Sequence, residues 1–280
     1  MSAPEKTPRI FYEHMHYVAF SRCTTLEGLH IIDINETKIC ASSSVLHFLE
    51  KEKRELELNF TPVYKDENQL AIAYNNVGSL PHKWSAIKDN KNITSSDIFI
   101  LSETWLSAKH PPEQFELSGY LCLRMDSTYR VGHRGMLMYI SEKHETLAYK
   151  RLQTEHIEVI LCEVCVRGVL WNIVGMYKPP TTNQQTLLSG LQTIKSALHL
   201  DRHTVIVGDL NVNIHLPSGQ WLVDFMEQQF HMRQVITSST TWDGTLIDVM
   251  FTNNVSLSGH ALGNTWSKHD VIYCVVPLNK

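Results

Sequence analysis

The sequence contains no unbroken apolar run of the roughly 18 residues that a membrane-spanning helix needs, so no membrane span is expected. It has no long block of one charge sign, no low-complexity tract and no internal repeat. Those absences argue against a disordered arm or a solenoid. The opening MSAPEKTPRIFYEH carries acids and lacks an apolar stretch, so it does not read as a secretory signal. No Gly-Lys dipeptide occurs, and so no G-x-x-x-x-G-K-[ST] loop to cradle a nucleotide phosphate. Cysteine is sparse, at six residues. Cys162 and Cys165 form a C-x-x-C, but within the strand-like run ILCEVCV, and no second pair follows at zinc spacing. The expectation is buried strand cysteines in a reduced, intracellular protein. The sequons at Asn35, Asn92 and Asn254 are then accidental.

What is present is a chain of 280 residues with 43% hydrophobic and 19% charged side chains, enough for one large core with a small appendage. The net charge is −4. That balance does not mark a nucleic-acid binder, but a carboxylate-rich metal site coexists readily with local basic patches.

Two regions differ in pattern. Residues 1–65 hold short strand-like segments at Tyr17–Ala19 and Leu29–Ile34. A Glu- and Lys-rich helical stretch, Ser43–Leu58, follows and leads into a linker over 59–68. Residues 66–280 alternate short apolar runs with turns and helices. LAIAYN, DIFILSE, MLMYIS, IEVILCEVCVR, LWNIVGMY, TVIVGD, LIDVMF and VIYCVV read as strands, rich in Val, Ile, Tyr and Phe. Trp84–Asp89, Thr186–Leu200 and Trp221–Phe230 have helical spacing. Strands joined partly by hairpins and partly by helices imply an α/β sandwich with helices packed outside a mixed sheet structure.

Polar residues recur at the ends of these strands: Asn75 and Asn76, Glu103, Tyr177, Asp209 and Asn211, Asp248, and His269 just before the last strand. A rigid sheet can aim such termini into one pocket. The residue types suit phosphodiester hydrolysis. Glu103 is a hard oxygen ligand for Mg²⁺ or Mn²⁺, and a bound ion neutralises phosphate charge. A carboxylate or imidazole beside the attacking water supplies a base. Asn and Tyr donate to phosphate oxygens, and Asp248 can hold His269 in one tautomer. Singly, each has a plainer reading as a turn residue, a solvated acid or core packing.

The order is the specific signal. Asn-Val, Ser-Glu-Thr-Trp, Gly-Met-Tyr-Lys-Pro-Pro, Gly-Asp-Leu-Asn, Leu-Ile-Asp-Val and Ser-Lys-His-Asp together resemble the endonuclease/exonuclease/phosphatase superfamily. They look closest to the apurinic-type endonucleases of LINE- and Helentron-type transposable elements, over Gln69 to Pro277. The resemblance implies a four-layered sandwich, two sheets face to face with helices outside. It implies that Asn76 and Glu103 bind the metal, that Tyr177 contacts the scissile phosphate, and that Asp209 orients or deprotonates the attacking water. Asn211 would steady Asp209 and the phosphate. Asp248 would pair with His269, which would contact the phosphate or assist proton transfer. Two departures stand out. Lys268 occupies the place of the usual Asp in Ser-Asp-His, and Gly135-Met136 replaces a run of glycines. Lys268 would put a positive charge beside the metal, which points toward a weakened enzyme.

HYVAFSRCTTLEGLHI resembles the last motif of the petite-integration-frequency DNA helicases, in which the residue matching Arg22 reaches the ATP γ-phosphate. With no phosphate-cradling loop in the chain, Arg22 has no nucleotide to reach, and the fragment reads as a helicase remnant. A helicase tail followed by such an endonuclease is the order expected of a Helentron-like transposon product. The expected function is therefore a metal-dependent endonuclease nicking DNA, at abasic sites among others. It would be monomeric by default and would reside in the nucleus with its substrate. A basic rim beside the site would favour DNA over a small phosphate substrate, and Lys83, Lys88, Arg130, Arg134 and Lys178 are the candidates for it, the plainer reading of each being a solvated surface residue. A phosphatase of the same fold and a non-catalytic remnant are the competing readings.

Overall fold

The computed structural model describes residues 68–126, 128, 134–199 and 201–278. The expected segments before Asn68, the boundary at residue 65, Arg22 and Arg130 lie outside them.

Strand β1 (Gln69–Asn76) opens the fold. Short helices α1 (Trp84–Asp89) and α2 (Lys91–Thr94) lead to β2 (Ile98–Ser102), β3 (Tyr120–Met125) and β4 (Met136–Ser141). The meander β5 (Glu145–Gln153), β6 (Glu158–Val166) and β7 (Val169–Tyr177) follows. Helix α3 (Gln184–Ala197) crosses to β8 (His203–Asp209), and α4 (Gln220–Phe230) precedes β9 (Arg233–Gln234). Strands β10 (Asp248–Thr252), β11 (Ser258–Leu262) and β12 (Val271–Pro277) complete it.

The strands form two six-stranded sheets, in the orders β11-β12-β1-β2-β4-β3 and β5-β6-β7-β8-β10-β9. Each contains one parallel pair, β1 with β2 and β7 with β8, where helices make the crossover. The other pairs are antiparallel, so both sheets are mixed.

Alternating side chains divide the core into three slabs. Ile72, Tyr74, Ile100 and Met138 from the first sheet meet Ile160, Ile173, Val205 and Val207 from the second. The outer face of the second sheet is covered by Leu187, Leu191 and Ile194 of α3 and by Leu222, Met226 and Phe230 of α4. Trp84 and Ile87 of α1 and Ile93 of α2 cover the outer face of the first. The layers thus run helix, sheet, sheet, helix. Helix α3 forms where its apolar residues recur every three to four positions, and the Asn183 side chain caps it by accepting from Thr186 N at 2.9 Å. Among the described residues no helix is long and apolar enough to cross a membrane.

The inter-sheet slab is the largest of the three buried clusters, which gives a direct test. Ile173 is 0% exposed. Truncating it to Ala should cost about 3 kcal/mol and lower the melting temperature by about 6–12 °C. Tyr149→Ala on β5, where the side chain is 49% exposed, should stay within about 1 kcal/mol. Differential scanning calorimetry on both variants distinguishes them.

Candidate active site

Register explains how distant positions meet. On the second sheet, Glu158 of β6 sits opposite Tyr177 of β7, Tyr177 opposite Asp209 of β8, and Asp209 opposite Asp248 of β10. Four polar side chains thus stand side by side across four strands. On the first sheet, Asn76 is level with Ser102, and Glu103 follows directly. His269 precedes β12. Gly208 makes this register possible, because a Cβ there would lie 1.7 Å from the Met176 carbonyl oxygen of β7.

Hydrogen bonds join these residues into one cluster. Asn76 Nδ2 donates to Glu103 Oε1 at 3.0 Å and to Asp209 Oδ2 at 2.9 Å. Tyr177 OH donates to the same Glu103 Oε1 at 3.0 Å. Asp209 Oδ1 accepts from Asn211 N at 2.9 Å, and Asn211 Nδ2 holds the Lys178 carbonyl at 2.9 Å. His269 Nδ1 lies 2.9 Å from Asp248 Oδ2 and 4.0 Å from Asp209 Oδ2. Asn76, Glu103, Tyr177, Asp209, Asn211, Asp248 and His269 are therefore all brought together.

Two of these residues adopt left-handed backbone, Glu103 at φ 49° and Asn211 at φ 48°. For Glu103 that conformation is uncommon and costs energy, so its surroundings must hold it. Ser79 N donates to the Glu103 carbonyl at 2.9 Å, and Thr104 N donates to Gly135 O at 3.1 Å.

The pocket carries an excess of buried negative charge. Burial, reinforced by Asp248, pushes the Asp209 carboxyl up to about 7, against the opposing pull of His269 and the Asn76 hydrogen bond. Burial alone would lower the His269 pKa. The hydrogen bond to Asp248 and the charges of Asp248, Asp209 and Glu103 outweigh it, and the imidazolium persists to about 9. Burial and the charges of Glu103 and Asp209 raise the Tyr177 phenol, keeping it a neutral donor.

A hard divalent cation fits this donor set. Glu103 Oε2 receives no hydrogen bond from the described residues, and a cation there would offset the crowding of Glu103, Asp209 and Asp248. Ligand atoms of Asp209, Asp248 and His269 also lie within 4.8 Å of one another. Asp248 Oδ2, however, already accepts from Thr240 Oγ1 at 2.7 Å and from His269. That geometry suits a carboxylate–imidazole pair better than a metal ligand. Asn76 turns its amide nitrogen to the carboxylates and its Oδ1 to Gly78 N. In this arrangement it bridges Glu103 and Asp209 as a donor.

Several residues of the site escaped the sequence reading. Tyr74 OH accepts from Asp209 N at 2.8 Å, and Ser267 Oγ donates to Asn76 O at 2.5 Å. Thr240 braces Asp248, while Asn75, which the sequence did offer at a strand end, holds the His269 carbonyl through Nδ2 at 2.9 Å. A tyrosine inside LAIAYN carries no distinctive pattern, and Ser267, though part of the Ser-Lys-His-Asp motif, has no role in the sequence reading. Glu158 did leave a signal, being an acid flanked by Ile157 and Val159 at the start of an apolar strand. Of the candidates for a basic rim, two turn inward. Lys178 is 3% exposed, with Nζ donating to Pro179 O and Thr182 O, and Arg134 is 7% exposed. Lys83 Nζ caps the end of β1 by donating to Val77 O and Gly78 O. Lys88 is exposed, on the helix that covers the first sheet.

No family model matches the sequence, and no curated protein matches it. Solved structures do. The human Nocturnin catalytic domain with bound sulfate is similar at a TM-score of 0.59 and 14% identity, covering 78% of this chain and 97% of its own. The endonuclease domain of TRAS1, a telomere-specific non-LTR retrotransposon, aligns at a TM-score of 0.58 and 12% identity, covering 76% and 100%. TDP2 of D. rerio, complexed with single-stranded DNA product, aligns at 0.54 and 16%, covering 75% and 99%. Other matches are endonuclease/exonuclease/phosphatase family proteins and a Bacteroides thetaiotaomicron mannosyl-6-phosphatase. The fold is that of the endonuclease/exonuclease/phosphatase proteins. Within that sandwich the polar cluster occupies the edge where the parallel strands of both sheets end.

Proposed function

We propose that this chain is a metal-dependent phosphodiesterase that nicks DNA, derived from a transposable element and acting in the nucleus as a monomer. The observation that carries the reading is the half-buried Glu103–Asn76–Asp209–Asn211 network abutting the Asp248–His269 pair. The likeness to a retrotransposon endonuclease and to a protein holding a DNA product supports DNA as substrate.

The chain's own residues divide the work. Glu103 would hold Mg²⁺ or Mn²⁺, which when bound supplies charge neutralisation at the phosphate. Asp209, its pKa raised toward 7, takes a proton from the attacking water. His269 commits Nδ1 to Asp248, so Nε2 faces substrate and donates to a phosphate oxygen as charge develops. Tyr177 OH and Asn211 orient the phosphate.

Lys268 favours a second reading, a weakened enzyme. Its side chain is exposed beside His269, where it adds positive charge at the rim. The test uses supercoiled plasmid, an abasic-site oligonucleotide and a phosphomonoester, each with Mg²⁺ or with EDTA, for wild type and Lys268→Asp. Nicking is expected only with the metal, rising about tenfold in Lys268→Asp, the equivalent of roughly 1.4 kcal/mol. A silent wild type with an active Lys268→Asp identifies a decayed copy. Turnover of the phosphomonoester alone assigns a phosphatase. Silence of both folded proteins on all substrates removes the catalytic reading.

A further inference from the structure

A carboxylate with no exposure to water is costly unless its oxygens are satisfied. Glu158, the first residue of β6, is 0% exposed. Its Oε2 accepts from Gly135 N at 2.9 Å and its Oε1 accepts from Gln153 Nε2 at 2.7 Å. Burial raises its pKa, while those two bonds and the charge of Arg134 pull it back.

The Arg134–Gly135 segment is gripped from its other side as well. Thr104 N donates to Gly135 O at 3.1 Å, and Trp105 N donates to Arg134 O at 2.8 Å. These are the two amides that follow Glu103. Glu103 and Trp105 both adopt left-handed backbone, at φ 49° and φ 56°. Two such residues around a single intervening Thr104 will not hold that shape unaided, since strained backbone persists only where its surroundings over-determine it. Gly135, at φ 99°, supplies a bend that side-chain-bearing residues rarely adopt. Glu158 lies on the second sheet and Glu103 follows β2 of the first, so the bond to Gly135 ties the two sheets together at the rim of the site.

We propose that Glu158 is a positioning residue: through Gly135 it fixes the Glu103–Trp105 turn and so aims the Glu103 carboxylate at the cation. The proposal rests on the metal-dependent reading of the site. Each Glu158 oxygen accepts a hydrogen bond from the protein. Its action passes through backbone rather than through substrate contact.

The experiment compares wild type, Glu158→Ala, Glu158→Gln and Gln153→Ala by Mn²⁺ titration, by amide hydrogen exchange and by thermal melting. Glu158→Ala should weaken Mn²⁺ binding roughly tenfold to a hundredfold, as loss of a residue supporting a ligand commonly does. It should also speed exchange at Thr104 and Trp105 while the β12 amides stay protected. Glu158→Gln keeps an acceptor for Gly135 N and should recover most of both. Where Glu158→Ala does not fold, Gln153→Ala takes its place, loosening one carboxylate oxygen and shifting both readouts in the same direction by less. Unchanged exchange at Thr104 and Trp105 in a folded Glu158→Ala protein overturns the proposal, as does a uniform loss of protection across the fold. If wild type binds no Mn²⁺, the metal-dependent reading fails, and the exchange data alone decide whether Glu158 positions the turn.

Discussion

Asp209→Asn is expected to reduce DNA nicking by about 10³-fold while raising the melting temperature of the metal-free protein. The loss follows from removing the base: a positioned proton acceptor contributes roughly 10²–10⁴-fold. The gain in stability follows from the pocket. Asp209 is 1% exposed, and burial together with Asp248 raises its pKa to about 7. A raised carboxyl favours the folded state fully only below its unfolded value near 4. That contribution disappears as the pH rises through 7, so at pH 8 the ionised side chain opposes folding. A neutral amide in its place relieves that opposition. The amide keeps an acceptor for Asn211 N but turns a donor toward Asn76 Nδ2, losing one hydrogen bond worth about 1 kcal/mol. The relieved charge outweighs it. Calorimetry at pH 8 with EDTA should show a rise of a few degrees that shrinks at pH 5, where wild-type Asp209 carries a proton. Addition of Mn²⁺ should stabilise wild type more than Asp209→Asn, because binding to the native state raises stability in step with affinity. A lower melting temperature for Asp209→Asn at pH 8 would mean that the carboxylate is net stabilising, and the electrostatic account of the pocket would be wrong.

Much of the sandwich was legible because its central strands advertise themselves. LAIAYN, DIFILSE, MLMYIS, TVIVGD and VIYCVV are buried on both faces and so read as nearly continuous apolar runs. The strands that the pattern missed, β3, β5, β9 and β11, are the outermost strands of the two sheets. An edge strand has one neighbour and less burial, so it tolerates polar and glycine residues. ETLAYKRLQ of β5 exposes most of its length, and SGHAL of β11 begins with Ser-Gly. Each pairs with the strand that follows it in the chain, and what it lacks is the continuous apolar run by which a central strand is recognised. The start of β10 shifted for a related reason. Leu246 and Ile247 continue an apolar run, yet the ladder begins at Asp248, where Asp209 becomes its partner.

The site divides the same way. Residues at the ends of apolar strands, such as Glu103, Tyr177 and Asp209, could be placed in a pocket because a strand terminus has a known position relative to its sheet. The residues that brace them could not. Tyr74 looks like any core aromatic until its hydroxyl is seen holding the Asp209 amide. Which basic residues could line a rim was not legible either, because charge in a sequence carries no burial. Lys178, next to Tyr177 in sequence, turns inward to two carbonyls.

Asp248→Asn is expected to cost about 10³-fold in nicking at pH 8, and the loss should shrink as the pH falls toward 6. Asp248 accepts from His269 Nδ1 at 2.9 Å and raises the imidazole pKa to about 9. At pH 8 wild-type His269 is therefore cationic, with Nε2 bearing a proton for the phosphate. Replacing the carboxylate with an amide removes the charge that sustains this state. Burial then meets only the weaker pull of Asp209 and Glu103, so the imidazole pKa falls and the cationic fraction at pH 8 drops. The introduced amide can also donate to Nδ1, which fixes a tautomer that the native pair excludes. The alkaline limb of the pH–rate profile should accordingly move down from about 9. Stability provides the check that is independent of turnover. A histidine with a raised pKa favours the folded state fully below its unfolded value near 6.5, and the benefit disappears as the pH rises through the folded value. Wild-type protein in EDTA should lose about 2 kcal/mol between pH 6.5 and 9.5, discounted for a ring that is 20% exposed. That corresponds to a fall of about 4–8 °C in melting temperature. Asp248→Asn should lose clearly less over that interval, since the His269 contribution is gone and only the Asp209 carboxyl still titrates near its lower end. Equal slopes for the two proteins would separate His269 from Asp248 and leave the imidazolium without its proposed support.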